Sequence, residues 1–161
     1  MRHISSRLSI NDAKKAVIDR IRKWLKEENM TSSPKADPYA DLVLAIEPRK
    51  GRIMNVIVGK DKIDSVEIIS FVGFSEQDKK AYASLRAKPR NDFVNGIVES
   101  LLPINIIYSF RPDLNTLEEI VLKKTIYFDG LTKNSFFDAI HTIVRGIEAT
   151  HLGYRKLAPD S

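Results

Sequence analysis

The chain has 161 residues and a mass of 18.3 kDa, is 43% hydrophobic and 29% charged, and holds seven glycines and seven prolines. That composition implies one well-buried core and excludes a disordered or low-complexity chain. No cysteine is present, which excludes disulfides, thiolate nucleophiles and Cys-ligated metals. No apolar run approaches the roughly 18 residues needed to span a bilayer. Residues 1–15 lack the apolar core of a secretory signal, so a cytoplasmic chain with no membrane contact is expected. The net charge of +5 is uneven, because residues 1–28 carry eight Lys and Arg against four acids. Any electrostatic argument for an anionic partner therefore rests on that segment.

Residues 1–9 read as a loose basic lead-in. A helix is predicted over 11–28, where Ala13, Val17, Ile18, Ile21, Trp24 and Leu25 form an apolar stripe among basic residues. Residues 29–38, with two prolines and no periodicity, read as a linker. Three strands are expected next. In 39–47, Leu42, Leu44 and Ile46 alternate with other side chains. The run 53–58, IMNVIV, is nearly continuously apolar, as a strand buried on both faces would be. The third strand is 65–71. The connections 48–52 and 59–62 are short, so the three strands form an antiparallel meander.

Ser75 is placed to cap a second helix, with acidic residues in its first turn. This helix runs to Lys88, where Pro89 interrupts it, and Asn91 or Asp92 restarts it. Beyond that point Phe93, Val94, Ile97, Val98, Leu101 and Leu102 give a strong apolar face. Strands are predicted at 104–110 and 117–128, the second bent or bulged at Lys123-Lys124. The turn pair Asp129-Gly130 suits a glycine with φ above zero. Thr132 then caps a last helix, whose residues Phe136, Phe137, Ile140, Ile143, Val144 and Ile147 line one side. The helix fades after His151 into a frayed tail over 152–161.

The order α-β-β-β-α-β-β-α describes a single α+β domain over 1–161, with an antiparallel five-stranded sheet packed by helices. The first and last helices cover one face, and the middle helix is free to cover the sheet or to pair with another copy. Over 11–151 this order resembles the secretion-chaperone-like fold of type III secretion chaperones and YbjN-like proteins. The most specific local part is 120–144, IVLKKTIYFDGLTKNSFFDAIHTIV, and the resemblance points to an uncharacterised prokaryotic or archaeal member. It implies a homodimer that binds an extended partner chain, or a protein with no assigned activity.

Chemistry is sparse. His141 and His151 lie on one helix, about 80° apart around its axis and roughly 15 Å along it, too far to share a metal. Asp138 and Glu148 stand three residues before them, a spacing that suits surface hydrogen bonds. There is no GxGxxG or GxxxxGK[ST] loop and no GxSxG elbow. Glu118 and Glu119 are adjacent in a strand and point to opposite faces. No catalytic, cofactor-binding or metal-binding residue is assigned, and no cofactor is expected. The function expected is that of a non-enzymatic, homodimeric protein-binding or chaperone-like module, with self-association running through Phe93, Val94, Ile97, Val98 and Leu101. The alternative is a nucleic-acid-binding accessory domain in which Lys14, Lys15, Arg22, Lys23 and Lys26 contact phosphates.

Overall fold

The computed structural model describes residues 2–157, with side chains described from Ile10 onward. Met1 and the last four residues of the expected frayed tail lie outside the described residues. The chain runs α1 (Arg2–Glu27), β1 (Ser32–Pro34), β2 (Ala40–Arg49), β3 (Arg52–Gly59), β4 (Ser65–Gly73), α2 (Glu76–Ser84), α3 (Ala87–Leu101), β5 (Ile107–Arg111), β6 (Glu119–Tyr127) and α4 (Lys133–Tyr154). The strands form one open antiparallel sheet in the order β1-β2-β3-β4-β6-β5. The fold is α+β as expected, but the sheet has six strands and the element order differs. Two compact units divide the chain, Met1–Ile68 with Thr125–Ala139, and Ile69–Lys124 with Ile140–Ser161.

In the first unit α1 begins at Arg2, inside the expected lead-in. It ends in a Schellman motif. Asn29 sits at φ 53°, its N–H reaches the carbonyl of Lys26, and the Met30 N–H reaches that of Leu25. The reversal turns the chain directly into β1, which lies in the segment expected to be a linker. Ser32, Ser33 and Pro34 pair with Ile46, Ala45 and Leu44. All three are exposed, so their pairing is a main-chain affair that leaves no apolar alternation to read. A proline at a sheet edge also blunts that edge against further strands.

The β2–β3 hairpin closes through Lys50-Gly51 alone, with Arg49 opposite Arg52. Gly51 takes φ 76° there, a conformation open to glycine because it has no Cβ. Gly130 is not in that region, contrary to expectation, because a 3-10 turn over Phe128–Gly130 makes the reversal. The cap at Thr132 forms as expected, with the Ser135 N–H on the Thr132 hydroxyl at 3.0 Å and the Thr132 N–H on the Ser135 hydroxyl at 2.8 Å.

Leu42, Leu44 and Ile46 pair with Val58, Val56 and Met54, and all six are buried, as are Val17, Ile21 and Leu25 of α1. Burial of each such side chain contributes about 1.5–3 kcal/mol relative to exposure. The Trp24 and Phe136 rings meet at 5.8 Å, joining α1 to the start of α4. The stripe on α1 differs from expectation at its first position, where Ala13 is exposed and Lys14 is buried at 5% exposure. The Lys14 ammonium donates to Asp41 Oδ2 at 2.9 Å and to the carbonyls of Gly59 and Lys60 at 3.0 and 3.1 Å. All three of its protons are thereby used, the condition under which a buried cation is tolerated.

At the other end of α1, Lys133 bonds Glu27 at 3.0 Å and Glu28 at 2.8 Å. These bonds hold the Glu27 carboxyl below its ordinary value and the Lys133 ammonium above its own. Acids at a helix C-terminus and a cation at a helix N-terminus each oppose the local dipole. Pairing them with each other offsets both mismatches.

In the second unit the expected cap at Ser75 forms, as a capping box completed by the Asp78 side chain. The break in the middle helix comes at Leu85-Arg86, both extended, several residues before Pro89. Pro89 falls in the first turn of α3, where its missing N–H costs no helical bond. The break is held by Arg90, which donates to the Leu85 carbonyl at 3.2 Å and lies 5.2 Å over the Tyr82 ring.

Phe74, Tyr82, Phe93 and Tyr154 form an aromatic cluster with centroids 4.4–6.5 Å apart. The Tyr82 hydroxyl donates to the Leu114 carbonyl, and the Tyr154 hydroxyl donates to that of Val72 at 2.6 Å. Burial pushes both phenols above the ordinary tyrosine value, Tyr154 the further of the two. Two glycines of α4 allow close approach, Gly153 to α3 and Gly146 to the segment after it. A Cβ on Gly153 would sit 2.7 Å from Ile97 Cγ1, and one on Gly146 would sit 2.9 Å from Ile106 Cδ1. Residues 102–104 form a 3-10 turn ahead of Asn105 at φ 56°, which delays β5 to Ile107.

Two predictions follow from these buried polar groups. Lys14→Met keeps the apolar stem and removes three donated bonds, and should lower the urea unfolding free energy by about 1–3 kcal/mol. Unchanged stability would show that the ammonium contributes nothing. The phenols set an alkaline limit, because the fold holds them neutral. Their contribution is intact below the ordinary tyrosine pKa of about 10 and is lost as pH rises beyond it, where the unfolded chain ionises first. Tyr154→Phe should flatten that alkaline decline in urea melts, while costing about 1–2 kcal/mol at pH 7 by orphaning the Val72 carbonyl.

Candidate functional site

The residues expected to mediate self-association are split by the structure. Ile97 and Leu101 are each 1% exposed and pack inside the second unit at Gly153 and Gly146. They are core, which corrects the expectation of a surface stripe. Phe93, Val94 and Val98 are half-buried, and Phe93 is committed on one side to the aromatic cluster. The physical reason is that α3 lies against α4, so its strongest apolar positions are used within the chain.

The basic set on α1 is also divided. Lys14 is occupied as described and is not available to an anion. Lys15, Arg22, Lys23 and Lys26 are exposed, and Lys23 lies 3.8 Å from Glu27. His141 is exposed and His151 half-buried, the latter with its ring 6.2 Å from that of Tyr154. Among the described residues no three His, Asp or Glu side chains gather as metal ligands would.

What the helices leave only partly covered is the other face of the strands. In the first unit the β2–β3 register places half-buried Ala45 opposite half-buried Asn55 on that face, and Val43, itself buried, opposite half-buried Ile57. Ile53 lies on it too and is 55% exposed. Thr31, Ser33, Ala45, Glu47 and Ile53 line a shallow hollow there of about 430 Å³. In the second unit, Ile120 and Leu122 of β6 are buried while Val121 between them is half-buried. Phe71 is 48% exposed and Ile107 57% exposed. The Arg111 guanidinium lies 5.7 Å over the Phe71 ring and 3.6 Å from Glu119, with Arg111 and Glu119 opposite one another in the β5–β6 register. The signal for this face was present in the continuously apolar run 53–58. Its period-two partition shows that only Met54, Val56 and Val58 are buried by the helices.

A second feature lies among the helices of the second unit. Leu85, Pro89, Phe93, Gly96, Ile97, Gly153 and Leu157 line a half-open groove of about 370 Å³, with Asp92, Ser100 and Lys156 around it. Asp92 is paired with Lys88 at 3.1 Å, and the Ser100 hydroxyl donates to the Gly96 carbonyl at 2.9 Å. Neither surface brings together a nucleophile and a base, or a pair of carboxylates. Both offer apolar area framed by charge, which is the chemistry of binding.

No helix among the described residues is long and apolar enough to cross a membrane. No curated protein matches the chain. Among solved structures, an uncharacterized protein from Methanothermobacter thermautotrophicus is similar at a TM-score of 0.79 and 19% identity, covering 87% of this chain and 98% of that one. YbjN from E. coli, described as a candidate transcription regulator, is similar at a TM-score of 0.52 and 13% identity, covering 83% and 91%. At such identities the likeness is one of fold, and it meets the expected resemblance to YbjN. With residues 17–152 matching its profile, the chain belongs to the family of uncharacterized conserved proteins DUF2299.

Proposed function

We propose that this protein is a non-enzymatic protein-binding module that acts as a homodimer, with the partly covered sheet face as the surface between copies. The observation that carries this is the exposure of Phe71 and Ile107 beside half-buried Ile69 and Val121, while β4 and β6 turn buried residues such as Ile68, Ile120 and Leu122 to the opposite face. Such a patch left in water marks an interaction surface more often than a solvated one. Sheets also pack readily face to face at about 10 Å. A second copy is the occupant, because the patch is self-complementary in charge. It presents two cations, Arg111 and Lys123, and two anions, Glu119 and Glu67, and a two-fold rotation lets each face its opposite on the other copy. The fold's likeness to YbjN supports a binding or regulatory role of this coarse kind.

Light scattering on the full chain at tens of micromolar should report a dimer. Phe71→Asp and Ile107→Asp should each yield a monomer with unchanged circular dichroism and melting temperature, since both side chains are half exposed in a single copy. A monomer for the unmodified protein at that concentration would remove the homodimer. The nucleic-acid alternative retains Lys15, Arg22, Lys23 and Lys26 but not Lys14. Binding of a DNA or RNA duplex at low salt, abolished by Lys15→Glu with Arg22→Glu and falling steeply with added salt, would replace our reading with that one.

A further inference from the structure

We propose that the groove between α3 and the end of α4 is a second binding site, which takes a large apolar side chain of a partner polypeptide carrying a neighbouring carboxylate. This rests on the reading of the protein as a binding module but not on the homodimer. The first argument comes from Gly96. A glycine inside a helix weakens it relative to alanine, so its presence calls for a packing reason. Gly146 and Gly153 have one, since a Cβ on either would collide with Ile106 or Ile97. A Cβ on Gly96 would meet no heavy atom within 4 Å. Nothing in the chain's own packing requires glycine there, and what its missing side chain keeps open is the groove.

The second argument is the chemistry of the walls. Leu85, Pro89, Phe93, Ile97 and Leu157 make them apolar, and at about 370 Å³ the space holds a side chain of leucine or phenylalanine size with room for its main chain. Around the rim the carboxylate of Asp92 is already satisfied by Lys88. Lys156 is exposed and forms no ion pair among the described residues, and Arg155 beside it is exposed as well. The free charge at the mouth is positive, so the complementary group on the occupant is an anion.

The third argument is shape. The groove follows α3 from Pro89 to Ser100, about 16 Å at the helical rise, and is open along its length. Small ligands are held in sites that enclose most of their surface. A trough open on one side suits a chain lying along it with one side chain directed down at Gly96. A helix or an extended strand both meet that requirement, and the anchor position is the same for each.

The test uses variants that fill the notch without disturbing the fold. Gly96→Leu projects into empty space and Gly96→Ala serves as the folding control, expected to melt a few degrees higher than the unmodified protein. Panning the full chain against a phage-displayed library of random dodecapeptides should enrich sequences with Leu, Phe or Met next to Asp or Glu. Synthetic peptides of the enriched class should bind Gly96→Leu about tenfold more weakly or worse, as for loss of an apolar anchor. Against Lys156→Glu the enriched class should shift from acidic to basic neighbours. The homodimer, read separately by light scattering, should survive all three substitutions. Peptides that bind Gly96→Leu undiminished, or a library with no enrichment, would overturn the groove while leaving the sheet face untouched. Occupation by sodium dodecanoate, blocked by Gly96→Leu, in the absence of any peptide binding would also overturn it, by assigning the site to a small amphipathic carboxylate.

Discussion

Helices cover each unit of this protein from one side of its sheet, and most of the remaining structure answers to that constraint. In the first unit α1 and the start of α4 use Val17, Ile21, Leu25 and Phe136 to bury alternate residues of β2 and β3. In the second unit the Leu122 side chain meets α4 at Gly146, and α3 closes on α4 at Gly153. A strand offers its side chains to two faces in strict alternation. Every apolar residue at an odd position is therefore left to something outside the helical layer. The strands of this chain place Ile53, Ile69, Phe71 and Val121 at those positions, where a solvated face would carry polar residues instead.

The buried polar groups follow a common arrangement. Lys14 on α1, Tyr154 on α4 and Tyr82 on α2 each extend a long side chain from a helix and end on a main-chain carbonyl beyond it. Lys14 holds the turn after β3, Tyr154 holds β4, and Tyr82 holds the loop after β5. Apolar packing alone tolerates sliding, because it depends on area and not on direction. A hydrogen bond in a buried setting has one productive geometry and is costly to leave unmade. These three contacts thus set the positions of helices that the apolar stripes only hold in place. The same logic explains why Tyr82 and Tyr154 have raised phenol pKa values. Perturbed groups often mark a functional site, but here burial is the largest cause, with Asp113 near Tyr82 and Asp78 and Glu119 near Tyr154 adding to it, so they report packing.

Much of this was legible in the residues. The caps at Thr132 and Ser75, the β2–β3–β4 meander and the apolar side of α4 all carry local signals, and each formed. The elements that were not legible share one property, which is dependence on distant main-chain groups. Strand β1 has no apolar alternation because only its backbone is used. The break at Leu85-Arg86 is held by Arg90 from the following helix, so Pro89 drew attention to the wrong place. Lys14 read as a solvent-facing cation because its partners, Asp41 and the carbonyls of Gly59 and Lys60, lie far away in sequence. The strip from Phe93 to Leu101 was recognised as apolar, but nothing local distinguishes a helix that packs on its own chain from one that packs on another. That distinction came from α4, where the missing side chain of Gly153 admits Ile97 and Leu101 is buried within contact of Gly146.

The three glycines near α3 and α4 show how a sequence signal acquires meaning only through its surroundings. Each weakens a helix to a similar degree, since the entropy lost on ordering glycine does not depend on its neighbours. At Gly146 and Gly153 that weakening is offset by close approach, which brings more apolar atoms within contact distance than a larger residue would allow. At Gly96 no neighbour fills the space, so the chain alone supplies no offset. Either the position is a plain defect in α3, or the compensation arrives with a molecule that occupies the notch. The Lys156 ammonium at the mouth of the same groove, with no counter-charge of its own among the described residues, is a second unmet demand within reach of the first. Two such demands converging on one cavity favour the second alternative, because a single defect in helix packing gives no reason for an unbalanced charge beside it.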